Sequence, residues 1–353
     1  MTVRVGIIGV GIMGADHART FAAHVPGASV HAIYDADAKR AKVIAKESGA
    51  EVVAKTPEAL INDKTVDAVL IASPDETHAP LTLACLAAGK PVLCEKPLAP
   101  TSHECLEVIA AETKLGNRLV QIGYMRRYDP PYVAMKAKWK SGDLGKPLMF
   151  HCVHRNVSAP PWFDSKMAIA NSAVHEFDVA RWVLDSDFVA ASVFQPDPTS
   201  KDAIVTPVFL VLKSAAGQLV NIEIFNNAGY GYDVKGELVC EKGTVSLRAP
   251  VNNELNVALT NSTSIPEDWR PRFADAYRHQ NQAWIQSVRD GKPTSTGANA
   301  WDGYAAAIVA EAGLRSLGEG RTVTIEMAAK PKLYRSYPPT FPNNRRTTQE
   351  ASP

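Results

Sequence analysis

Residues 3–14 read VRVGIIGVGIMG, and their reading decides the fold. A β-rich apolar run leads into Gly9-Val10-Gly11-Ile12-Met13-Gly14, and the following dozen residues have helical spacing. G-x-G-x-x-G alone marks many tight turns. Here it follows a strand, opens a helix and begins a βαβ unit that closes on Asp35, 21 residues past Gly14. Together these features form the dinucleotide-binding fingerprint. Gly9 permits the turn, Gly11 lets a pyrophosphate approach the backbone, and Gly14 brings helix and strand close. The helix start at Ile12 and Met13 offers its unpaired amides to the phosphates. A glycine turn in some other doubly wound protein is the alternative.

Further along, SVHAIYD, DAVLIAS, PVLCEK and RLVQIGY are β-rich, and segments near 14–25, 37–48, 77–88 and 102–115 have helical spacing. Apolar runs without strict alternation suit strands buried on both faces, as in a parallel sheet flanked by helices. Residues 1–122 therefore read as an α/β, doubly wound dinucleotide-binding domain. From 123 the pattern changes to a helix (129–140), the strand PLMFHCVHRN and the helix VHEFDVARW. Two hairpins follow, with bends at Ala-Ala-Gly and Glu-Lys-Gly, and then helical patterns at 272–290 and 299–318. Residues 123–330 read as a separate α+β domain with a mainly antiparallel sheet. Residues 331–353, rich in proline and polar groups, read as a C-terminal arm or a disordered tail.

Composition narrows the function classes. The 353 residues suit two domains, and 38 basic against 37 acidic residues give a formal charge of +1. That balance offers no electrostatic case for nucleic acid or an anionic membrane. No apolar run approaches the ~20 residues needed to span a bilayer. Cys85, Cys94, Cys105, Cys152 and Cys240 are scattered without a C-x-x-C pair, which argues against a disulfide scaffold or structural zinc and for the cytoplasm.

Asp35 also bears on the cofactor. A carboxylate there accepts from the adenosine ribose hydroxyls and repels a 2′-phosphate, so NAD is expected ahead of NADP, although Lys39 and Arg40 soften the repulsion. Ligands of such sheets bind beyond the carboxyl ends of the strands, which places Ser73-Pro74 and Glu95-Lys96-Pro97 near the nicotinamide. In IANSAVHEFDVARW (169–182), H-E suggests half of a zinc-protease motif, but that motif needs a second histidine at 179, which is Val. No metal is expected. Asn171 or Ser172 is a candidate helix cap. His175, Asp178 and Trp182 share one helical face, so Asp178 is a candidate to orient the His175 ring.

SPDETH (73–78), CEKPLAPT (94–101), GYMRRYDP (123–130) and SAVHEFDVARW (172–182), in this order after the glycine motif, resemble the Gfo/Idh/MocA oxidoreductases, and among them the inositol dehydrogenases. The resemblance runs from residue 2 to about 325. It implies a Rossmann domain, a C-terminal domain with an open antiparallel sheet, and a homo-oligomer, tetramer or dimer, associated through those sheets. It makes Lys96 catalytic and His175 the general acid/base, and sets Arg126 against cofactor or substrate. Counted with the cofactor residues are Ser73, Pro74, His78 and Glu95. His154 and Asn156, on one strand face with Cys152 and opposite His151, line a polyol pocket, with Arg127 and Tyr232 as further candidates and Tyr230 on the same face. Where the inositol dehydrogenases carry Asp, this chain has Asn171, which can still hydrogen-bond a substrate hydroxyl but cannot take a proton.

The resulting expectation is NAD-dependent oxidation of a secondary hydroxyl of a cyclic polyol or sugar, with the inositols first. Two alternatives stand beside it: a non-catalytic NAD-binding sensor, and a sugar oxidoreductase that retains its NAD(P).

Overall fold

The computed structural model describes residues 2–198, 206–248 and 254–335. Strands β1 (Val3–Ile8), β2 (Ala28–Tyr34), β3 (Val52–Val53), β4 (Ala68–Ile71), β5 (Val92–Cys94) and β6 (Val120–Ile122) pair in parallel. Between them run helices α1 (Ile12–His24), α2 (Ala38–Ser48), α3 (Pro57–Asn62), α4 (His78–Ala87) and α5 (Ser102–Leu115). Every residue of β4 is fully buried, as the unbroken apolar run required. Local chemistry sets the helix ends. Asp37 caps α2 by accepting from the backbone of Lys39 and Arg40, and Thr101 with Glu104 forms a capping box on α5. Gly49 and Gly116 end these helices in the left-handed conformation.

Two small elements here, β3 and α3, leave no mark in the sequence, because so few residues carry almost no periodicity. The strand order 3-2-1-4-5-6 reverses direction between β1 and β4, which opens a crevice at their carboxyl ends.

The remaining chain adds α6 (Pro130–Lys140), β7 (Pro147–Arg155), α7 (Ser165–Met167), α8 (Val174–Leu184), β8 (Phe188–Phe194), β9 (Val208–Ser214) and β10 (Leu219–Phe225). Then come β11 (Asp233–Cys240), β12 (Gly243–Ser246), the small hairpin β13 (Glu254–Val257) and β14 (Thr260–Thr263), and α9 (Arg270–Asp290). Last are β15 (Ala298–Asn299), α10 (Ala300–Glu319) and β16 (Val323–Thr324). The second sheet runs β12-β11-β7-β10-β9-β8-β16; β7 and β10 are its parallel pair and its other neighbours are antiparallel. The chain is thus a Rossmann-type parallel sheet joined to a mainly antiparallel one.

After residue 270 the chain returns to the first sheet. Trp284 and Ile285 of α9 share one buried core with Val3 and Leu70, and β15 pairs antiparallel with β6 at the sheet edge. Helix α10 joins the two units, because Trp301 and Tyr304 share one core with Val108 of α5, Phe177 of α8 and Leu210 of β9. Of the expected C-terminal arm, Tyr334 is buried with its hydroxyl on Glu112, and the part beyond 335 lies outside the described residues.

Candidate active site

The glycine loop sits where β1 meets α1. Gly9 has φ +84°, and a Cβ there would come within 2.6 Å of the Ala72 carbonyl oxygen. A Cβ at Gly14 would lie 1.9 Å from the Gly9 carbonyl oxygen, so helix and strand approach as closely as the motif requires. At Gly11, by contrast, a Cβ would meet nothing within 4 Å. That open side, the helix start without a side-chain cap and the 71 % exposed Ile12 beside Met13 form a cradle suited to a dinucleotide pyrophosphate.

Asp35, at the end of β2, is buried and accepts from the backbone of Val10 (2.7 Å) and Asp37 (2.7 Å) and from Arg40 Nη2 (2.8 Å) and Nε (3.3 Å). Burial pushes its carboxyl up, but Arg40 and the two amides outweigh that and hold it below its ordinary value.

Two residues expected at the cofactor support the cradle instead. Both ring nitrogens of His78 face backbone carbonyls, Pro97 at 2.6 Å and Ser73 at 2.8 Å. Only an imidazolium donates to both, and no ring nitrogen is left for a ligand. Burial opposes the charge, yet Cys94, the Pro97 carbonyl and Asp75 outweigh it and the pKa is pushed up to about 10. Glu95 is buried beneath Gly123, where it accepts from His17 Nε2 (2.8 Å) and the Lys96 amide (3.2 Å), while His17 Nδ1 meets Asn281 at 2.9 Å. Ser73 Oγ is 2.6 Å from Thr77 Oγ1, and Pro74 stands exposed beside it.

Lys96 is the member of Glu95-Lys96-Pro97 that reaches the cleft. Its Nζ donates to Asn171 Oδ1 (3.1 Å) and to the Asn171 carbonyl (3.3 Å), across the boundary between the two sheets. Burial lowers the pKa of its ammonium, a shift that Asp75 and Glu95 partly oppose. Asn171 does not cap a helix. It lies in a π-helical turn, Ala168–Ser172, and α8 begins after Ala173 with no side-chain cap. Ser172, the other cap candidate, accepts from Asn226 Nδ2 at 2.9 Å.

His175 is partly exposed, with Nδ1 buried and without a hydrogen-bond partner. Tyr124 (6.2 Å between ring centres) and His154 (6.4 Å) meet it edge-on. Burial and then the charges of Arg126 and Lys96 push its pKa well below the ordinary histidine value, so the ring is neutral at pH 7.

The two arginines point elsewhere than expected. Arg127 is buried and bidentate on Asp178 (2.8 and 2.6 Å), with Asp302 at 3.2 Å. These contacts tie its Nε and Nη2 into the fold, and Asp178 is held by Arg127 rather than by His175, whose Nδ1 has no hydrogen-bond partner. Helical spacing showed which residues share a face but could not show a partner 51 residues away. Arg126 is ion-paired with Glu176, and its Nη2 lies 3.3 Å from His154 Nδ1, which also meets Glu176 at 3.2 Å. Arg126 thus sets His154 and α8 rather than standing free.

Tyr232 packs edge-on against His154 at 6.0 Å, whereas Tyr230 is exposed and bonded to Arg155 and Asp233. Asn156, just past β7, is partly exposed, with its amide on the Phe225 carbonyl (2.9 Å). His151, on the opposite strand face, bonds Asn221. Among the described residues, no cluster of three or more His, Cys, Asp or Glu is arranged to hold a metal, and no helix is long and apolar enough to cross a membrane. Asp75, Glu176 and Tyr124 also belong to the site, through Asn171, Arg126 and His175, and each lies inside one of the sequence motifs although its partner is distant in the chain or carries no local signal.

Sheet order, glycine cradle and cleft lysine define a dinucleotide-dependent oxidoreductase. The chain belongs to the GFO/IDH/MocA family: residues 3–124 match its oxidoreductase domain with an NAD-binding Rossmann fold, and residues 132–246 match its C-terminal domain. It is 50 % identical to inositol 2-dehydrogenase 1 of Saccharopolyspora erythraea, covering 95 % of this chain and 99 % of that one. It is 42 % identical to inositol 2-dehydrogenase of Streptomyces avermitilis, over 95 % and 97 %. Among solved structures, myo-inositol dehydrogenase from Lactobacillus casei, in complex with NAD(H) and myo-inositol, superposes with a TM-score of 0.90 at 31 % identity, covering 95 % of this chain and all of that one.

Proposed function

We propose that this protein is an NAD-dependent dehydrogenase that oxidises a secondary hydroxyl of a cyclic polyol to the ketone, with myo- or scyllo-inositol as first substrates. The observation that carries the reading is the meeting of Lys96 with Asn171 one helical turn before a neutral, partly exposed His175. NAD, when bound, supplies the hydride acceptor. His175 takes the hydroxyl proton, for which a neutral imidazole is the competent form. The Lys96 ammonium stabilises negative charge developing on the same oxygen. Asn171, His154 and Asn156 offer hydrogen bonds to the remaining hydroxyls, each of which needs a partner once desolvated.

In this reading residues 1–122 hold the nucleotide, and 123–330, apart from α9 and β15 that return to the first sheet, hold the substrate and join subunits. The open face of the second sheet supports a homo-oligomer, since it leaves Met149, Phe194, Phe209 and Leu219 exposed. Five buried, free cysteines support a cytoplasmic location.

The test is NADH formation with purified protein, NAD or NADP, and a panel of inositols, hexoses, pentoses and uronic acids. Saturable turnover with an inositol and NAD is the expected result. Silence across the panel with NAD binding intact would overturn it in favour of a sensor.

A further inference from the structure

Asn171 lies between groups of opposite charge. Its Oδ1 accepts from Lys96 Nζ at 3.1 Å, and its Nδ2 donates to Asp75 Oδ2 at 3.0 Å. A lysine ammonium only donates and an ionised carboxylate only accepts, so a single orientation of the amide satisfies both neighbours. Asp75 is itself well placed. It opens the turn Asp75–Thr77 just beyond β4, which Thr77 Oγ1 closes on the Pro74 carbonyl at 2.7 Å. Two hydrogen bonds from the ring of His78 tie that turn to the Lys96 loop. Asp75, Lys96 and Asn171 are all partly exposed, so the chain of three is open to solvent just beyond the carboxyl ends of β4 and β5.

We infer that Asp75 is a positioning residue for the dehydrogenase: its carboxylate fixes the Asn171 amide so that Oδ1 holds the Lys96 ammonium, and it supplies the negative charge that a carboxylate at 171 would otherwise carry. The inference rests on the proposed function. Among the charges facing Lys96, Asp75, Glu95 and Glu176 favour the ammonium and Arg126 opposes it, with Asp75 the largest of them. An Asp at 171 would instead set two carboxylates about as close as the present bond, where like charges resist ionising together. Positions 75 and 171 are therefore matched: one carries the charge and the other carries the amide.

Asp75→Asn and the double variant Asp75→Asn/Asn171→Asp test this, because the second exchanges charge and amide while keeping the bond. Asp75→Asn is expected to lower kcat about tenfold, less than removal of a direct transition-state donor. It should also move the alkaline limb of the rate profile, where Lys96 loses its proton, to lower pH. The double variant should recover most of both. Competitive acetylation of Lys96, read by mass spectrometry, needs no turnover: labelling should quicken in Asp75→Asn and slow again in the exchange variant. An Asp75→Asn enzyme with unchanged kcat and alkaline limb, or an exchange variant no better than it, overturns the inference. If the native enzyme oxidises no polyol while the labelling still shifts and returns, the functional reading fails and the pairing stands.

Discussion

Arg126 and Glu176 form an ion pair in which each side chain is only 1 % exposed, and the helix that carries Glu176 carries His175 one residue earlier. A buried pair contributes little net stability against an apolar substitute, but breaking it leaves an uncompensated charge. Glu176→Gln is expected to cost about 3–5 kcal/mol in urea unfolding, and Arg126→Met a similar amount. The double variant should lose clearly less than the sum of the two. Simple additivity would show that the pair does not act as a unit.

Asp35 leads to a second expectation. Its carboxylate has about four acceptor sites, and two backbone amides and two Arg40 nitrogens already occupy them. Ribose hydroxyls need room there. Of the four donors only Arg40, whose side chain is 48 % exposed, is free to leave. Arg40→Ala should therefore lower KM for NAD several-fold and raise KM for NADP, since it removes both a competitor and a cation. Initial-rate kinetics with each cofactor decide it; an unchanged or raised KM for NAD contradicts the competition.

The fold was legible in the sequence because its signals were local. Buried strands wrote unbroken apolar runs, helices wrote their apolar spacing, and the glycine spacing described one turn. The site was legible where a motif met a strand end, as at Lys96, or a helix face, as at His175. Contacts between distant segments were not. Asp178 shares a helix face with His175, yet Arg127 holds it from across the fold. Asn171 resembled a cap because a π-helical turn has no residue signature, and its partners Lys96 and Asp75 are 75 and 96 residues away. The two-residue strand β15 was invisible for the same reason: its only signal is the edge of β6 that it completes.

Glu112 makes folding stability depend on pH. It is fully buried, accepting from the amides of Leu119 (2.5 Å) and Val120 (2.7 Å) and from the Tyr334 hydroxyl (2.6 Å). Burial outweighs those donors and pushes its pKa from 4.5 up to about 7. The folded state thus holds a proton that the unfolded chain releases near 4.5. The contribution is complete below that pH and is lost as pH rises to about 7, amounting to roughly 3 kcal/mol. Glu112→Gln should flatten this part of the profile. Urea unfolding of both proteins between pH 5 and pH 8 measures it, and parallel slopes would reject the assignment.

The reaction itself should carry the imprint of His175. A general base of ordinary histidine character would lose activity below about pH 6.5. Here burial and the neighbouring Arg126 and Lys96 charges hold the ring neutral well below that value. The acid limb of kcat/KM is therefore expected below the ordinary histidine range. Lys96→Met removes one of those charges, so it should move the limb upward while lowering kcat by about a hundredfold or more through loss of the ammonium. His175→Asn should lower kcat between about a hundred- and ten-thousandfold and abolish the limb. A limb at or above pH 6.5 in the native enzyme, or one that survives His175→Asn, would assign the proton transfer to another group.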